Sequence, residues 1–170
     1  MTSFSNYPHK LDVHRLAGLA KNLLHALDQC LREIGCRAEQ FTRIYDPKFV
    51  SFGEEQFLCD SLDLVWAAKA NGNEFGLLME QTLQAEPRRF TLRTTIDEAK
   101  DDQVLDALGV LPQFIGGCVG KTAGAQKASA ETAKRLRLSI AAIESNVPAK
   151  ESELRQILDS IRQSIAAIQT

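Results

Sequence analysis

The chain has 170 residues, 44% of them apolar, 25% charged and 6% aromatic. That length fits one domain with a sizeable core, and a formal net charge of −2 excludes a global attraction to nucleic acid or acidic lipid. With one Trp and two Tyr, a core of Leu, Ile and Ala on helices fits better than a β-sandwich. The expected fold is therefore mainly α: a single helical domain over residues 1–170, built as a bundle of five or six helices with a C-terminal antiparallel hairpin over about 125–168 and a short two-stranded ribbon.

Charge is unevenly distributed. Residues 46–106 carry six basic and thirteen acidic side chains, 107–120 carry none, and 121–170 carry eight basic and five acidic. Solvated helix faces account for this pattern, and complementary packing between the acidic middle and the basic end is the alternative. Met1 to Pro8 has neither a basic nor an apolar leader region. No run reaches the roughly 18 apolar residues of a membrane helix, so a cytoplasmic protein with no membrane partner is expected. Cys30, Cys36, Cys59 and Cys118 have no zinc-like or C-x-x-C spacing and read as reduced core thiols.

In chain order, Val13, Leu16, Ala20, Leu23, Leu27, Cys30 and Ile34 step by three and four. They predict a helix from about Leu11 to Ile34, capped by Asp12 and stopped by Gly35. Residues 41–52, aromatic and β-branched around Asp46-Pro47, read as a short strand or an ordered loop. A helix is expected over about Glu54 to Ala70, ended by Asn71-Gly72. A short helix follows, capped by Asn73, carrying Phe75, Leu78, Met79 and Leu83, and terminated by Pro87. Phe90, Leu92, Thr94 and Ile96 alternate as in a half-exposed strand, with 41–52 as its partner. Thr95 with Glu98, or Asp97 alone, opens a helix to about Leu108, stopped by Gly109.

The C-terminal third contains an echo, Arg137-Leu138-Ser139-Ile140-Ala141-Ala142-Ile143 against Arg162-Gln163-Ser164-Ile165-Ala166-Ala167-Ile168. It lies on two helices joined at Asn146-Val147-Pro148, which predicts the antiparallel hairpin. Ile140, Ile143, Ile161, Ile165 and Ile168 form its apolar interaction face, in this subunit's core or at a subunit interface.

Few motifs suggest chemistry. Gly116, Gly117, Gly120, Lys121 and Thr122 approach a phosphate loop. That loop needs four residues between its first glycine and Gly-Lys-Thr, and Gly116 leaves three, so a less regular anion nest is what these residues allow. The competing reading takes Gly116, Gly120, Gly124 and Ala128 as a small-residue stripe for close helix packing. His14-Arg15-Leu16-Ala17-Gly18 resembles a fragment of the histidine phosphotransfer motif, which implies an exposed phosphoryl-accepting His14 on a bundle helix. The ordinary reading of His14 is a surface residue off the apolar stripe. His9, His14 and His25 have no metal-ligand spacing, and Glu54-Glu55 and Asp101-Asp102 complement helix dipoles. No nucleophile is marked by a partner, and neither metal nor cofactor is expected.

Arg88, Arg89 and Arg93 around Phe90 form a small basic and aromatic patch. Lys127, Lys134, Arg135, Arg137, Arg155 and Arg162 form a basic set on the hairpin that could meet phosphates. The reading is a non-catalytic protein–protein interaction or assembly subunit acting through helix faces, most simply a two-fold homo-oligomer. The alternatives are a nucleic-acid-associated accessory subunit within a larger assembly, using the hairpin, and a phosphate- or nucleotide-binding protein using Gly116 to Thr122.

Overall fold

The first helix forms as its sequence predicts. In the computed structural model, which describes residues 12–51, 57–85, 88–122 and 127–169, α1 spans Val13–Glu33. Asp12 caps it by accepting from the Arg15 amide at 3.0 Å, and Gly35 stops it at φ 76°, a left-handed turn that glycine adopts without a Cβ penalty. Four strands follow, β1 (Gln40–Ser51), β2 (Phe57–Ala68), β3 (Phe75–Ala85) and β4 (Arg88–Thr95). Three helices close the chain, α2 (Asp101–Gly120), α3 (Ala130–Glu144) and α4 (Ser152–Gln169).

The strands form one antiparallel sheet in the order β1-β2-β3-β4. Four helices and a four-stranded sheet thus replace the expected bundle of five or six helices with a ribbon. The segment expected as a helix over Glu54 to Ala70 contains β2, and the one over Asn73 to Leu83 lies in β3. Segments 41–52 and 90–96 do contribute strands, but β1 and β4 are the opposite edges of the sheet, not a pair. Asn71-Gly72 is not a helix end. It sits in the turn joining β2 to β3, where the Gly72 amide donates to the Lys69 carbonyl at 2.7 Å and Gly72 takes φ 73°. Asn73, expected as a helix cap, donates its amide to the Asn71 side chain in the same turn.

The helices cover one face of the sheet. Ile44, Leu62, Leu64, Trp66, Leu77 and Met79 join a continuous core with all four helices. α2 lies against β1 and β2, and α1 against β3. α3 packs on α1 and on α4, and α4 packs on α2, so the hairpin backs the α1–α2 layer. The opposite face of the sheet carries a row of charges across all four strands: Arg43 pairs with Asp63 and Arg93 with Glu80, each at 2.7 Å, and Asp63 stands opposite Glu80.

α2 differs from its expected bounds. Thr95 and Glu98 do exchange hydrogen bonds at 3.3 Å, but they build the turn before the helix. The helix itself starts at Asp101 and runs through Gly109 and Pro112 to Gly120. Val104, Leu105, Leu108, Leu111, Phe114 and Ile115 on it are buried, and packing of this kind outweighs the propensity cost of the glycines. It is the one described helix long and apolar enough to cross a membrane, at a mean hydropathy of 1.2, with more than half of that window buried in the protein. Met1 to Pro8, His9, Glu54-Glu55, Pro87 and Gly124 lie outside the described residues.

Candidate interaction surfaces

The helix-facing side of the sheet loses its cover towards β4. In the row Thr42, Leu64, Met79, Thr94 the first three are buried. One row further, Leu62 is buried and Gln81 half-buried, while Leu92 is 58% exposed. In the next, Leu83 is half-buried and Phe90 is 63% exposed. These positions alternate on the face that elsewhere is core. No described helix packs against β4, so Phe90 and Leu92 continue the core face into solvent.

Beside this face sits a polar group. Tyr45 donates its hydroxyl to the carboxylate of Asp106, which is buried on α2. Burial first, and then the Asp106 carboxylate, push the Tyr45 phenol above its usual range. The Gln81 amide donates to both oxygens of Asp60, at 3.1 and 3.3 Å. Asp60, Asp102 and Asp106 make this corner acidic. Among the described residues no group of His, Cys, Asp and Glu is arranged to hold a metal ion.

A second surface lies between α1 and α3, a groove of about 300 Å³ lined by Leu19, Asn22, Arg135, Leu138, Ser139 and Ala142. Leu138 is 58% exposed there. At the same seam Glu33 meets the start of α3. Burial works against its carboxylate, but hydrogen bonds from Thr132 and Ser129 outweigh it and hold the Glu33 carboxyl below the usual range.

The predicted site residues fall in several places. Ile140, Ile143, Ile161, Ile165 and Ile168 are all buried within this subunit, so they join the hairpin to its own body, and the surface a partner would meet is elsewhere. Gly116, Gly117 and Gly120 lie in the last turns of α2, where backbone amides are spent within the helix and the free end presents carbonyls, unfavourable for an anion. Lys121 donates to the Glu39 carbonyl at 2.6 Å and Thr122 to the Cys118 carbonyl at 2.9 Å. These contacts draw the five residues away from a phosphate-loop geometry. Of the small-residue stripe, Gly116 and Gly120 do not form a packing face, while Ala128 packs against the core. A Cβ on Gly116 or Gly120 would meet nothing, whereas one on Gly117, off that stripe, would collide with the Gln40 side chain.

His14 is exposed and bonded to Asp101 at 2.9 Å. That hydrogen bond, reinforced by the carboxylate charge, raises its pKa above that of an ordinary imidazole. His25 bonds Asp97 at 2.7 Å, which lowers the Asp97 carboxyl, and Lys21 donates to the Asp97 carbonyl. His25 and Lys21 thus fasten α1 to the connection between β4 and α2, and His14 fastens it to the first residue of α2. Of the hairpin's basic set, Arg162 pairs with Glu144 and Asp159 and Arg155 donates to the Val147 carbonyl at 2.8 Å, so both serve the helix ends. Lys127, Lys134, Arg135 and Arg137 are exposed.

Cys30, Cys36 and Cys118 are free and buried. Burial pushes the Cys30 thiol up to about 11, and burial with the neighbouring Cys36 raises Cys118 further, which disfavours the reactive thiolate at Cys30 and Cys118. The sequence did mark the Arg88, Arg89, Phe90, Arg93 patch. What it missed is the patch's place on an open sheet edge, since strand order is not a local property. Compared with family models, with curated proteins and with solved structures, the chain matches none of them.

Proposed function

We propose that the chain is a non-catalytic protein–protein interaction or assembly subunit. The observation that carries this reading is the core face of the sheet left uncovered at β4, where Phe90 and Leu92 stand 63% and 58% exposed. Large apolar side chains grouped in this way mark interaction sites more often than scattered ones do. The buried, free thiols support a reducing compartment such as the cytoplasm. Leu138 and the α1–α3 groove favour a second feature of the same reading, a two-fold dimer with the hairpin at or near its interface.

A photo-crosslinking side chain tests both surfaces. At Leu138 in the purified protein it is expected to trap a species of twice 18.8 kDa. At Leu92, in cells of the source organism, it is expected to trap a discrete heavier species. Recovery of the free chain alone from both positions contradicts the reading.

A further inference from the structure

This inference rests on the reading of the chain as an interaction subunit and names its partner's chemistry. We infer that the free edge of β4 accepts an extended, acidic segment of a partner chain as a fifth strand of the sheet.

The two edges of the sheet differ. β1 is backed by α2, contains Pro47 and has two register irregularities, devices that blunt an edge against further pairing. β4 has none of them. It pairs with β3 in unbroken register from Arg88↔Ala85 to Thr95↔Leu78, contains no proline or lysine, and among the described residues β3 is the one element packed closely against it. Its outward amides and carbonyls are therefore a pairing template.

The side chains define the guest. On the helix-facing side β4 offers Phe90 and Leu92, beside Leu83 and Gln81 of β3. Asp60 lies on that side too and disfavours further acid there. On the opposite side β4 presents Arg89, Thr91, Arg93 and Thr95. Arg93 is paired with Glu80; Arg89, among the described residues, has no ion pair. The strand holds three arginines and no acid. A guest strand that alternates apolar residues towards the helices with acidic residues towards Arg89 and Arg93 satisfies both faces. A second copy of β4 does not, because it brings a strand of three arginines and no acid to an edge of the same charge.

The probe is a short peptide alternating glutamate with valine. It is run against the same peptide with lysine for glutamate, and against the acidic peptide N-methylated at alternate backbone amides. Titrated onto the full chain by calorimetry, the acidic peptide is expected to bind saturably. The lysine and N-methylated peptides should bind at least about tenfold more weakly. Arg89→Glu, an exposed change, should weaken the acidic peptide and strengthen the lysine one.

Equal binding of the acidic and N-methylated peptides means attraction by charge alone and overturns strand addition. Self-association that is lost in Phe90→Ser/Leu92→Ser places a second copy on β4 and overturns the acidic guest. No binding by any peptide, with discrete crosslinks still formed from Leu92 in cells, overturns the acidic strand while the interaction reading stands. The absence of both removes the two together.

Discussion

Trp66→Ala is expected to be the most damaging single truncation in the chain. Trp66 is fully buried on the helix-facing side of β2, paired in register with Gln40 and Leu77. Its indole stands 6.1 Å from the Phe75 ring. Its Nε1 donates to the Cys36 carbonyl at 3.2 Å, tying the loop after α1 to the sheet. Removing a buried Trp side chain costs about 3–5 kcal/mol, and the carbonyl left without its donor adds about 1–3. Against a total of about 5–15 kcal/mol for an ordinary domain, that is enough to unfold a large fraction of the protein. Circular dichroism in urea should show a strongly lowered midpoint or no transition, with Trp66→Phe in between. A midpoint within experimental error of wild type would mean that the sheet does not pack on the helices through this residue.

Ile140→Ala is expected to be the second. Ile140 is 1% exposed on α3, in the core shared with α1 and α4. Truncation should cost about 2–5 kcal/mol. The neighbouring Ser139 lines the α1–α3 groove, so Ser139→Ala should change stability by no more than about 0.5 kcal/mol. Denaturation of the two variants side by side separates the cases. Equal and small effects would show that the hairpin is not fastened to the body by this face.

The helices were largely legible and the centre of the sheet was not, for a physical reason. α1 has one buried stripe and one wet face, so its period shows in the sequence. The same holds for α4, where Leu154, Leu158, Ile161, Ile165 and Ile168 are buried. β2 is buried on both faces from Ser61 to Ala67, so strict alternation disappears into a run that fits either period. β3 draws eight of its eleven residues from Leu, Met, Glu, Gln and Ala, which have high helix propensity, and pairing on both sides overrides it. One local signal was available: Asn71-Gly72 between two apolar runs is a strong hairpin mark. It fits a helix end as well, and the helix-forming residues on either side favour that reading over the hairpin. β4, an edge strand, keeps the alternation of Phe90, Leu92 and Thr94 that marks a strand in sequence. Its basic and aromatic patch was visible as composition, but its accessibility as an edge depends on β3 pairing only one of its sides.

Backbone amide exchange, resolved by residue on the purified chain, tests the open edge most directly. The amides of β2 are bonded on both sides and should exchange only through global opening. Those of β4 that point away from β3, apart from Thr95, whose amide donates to Glu98, should exchange far faster, alternating along the strand with slower neighbours. That alternation, with Phe90 and Leu92 in the fast-exchanging strand, is the predicted result. Uniform protection of β4 at the level of β2 would show that the edge is already covered, and would contradict the account of β4 as the site offered to a partner.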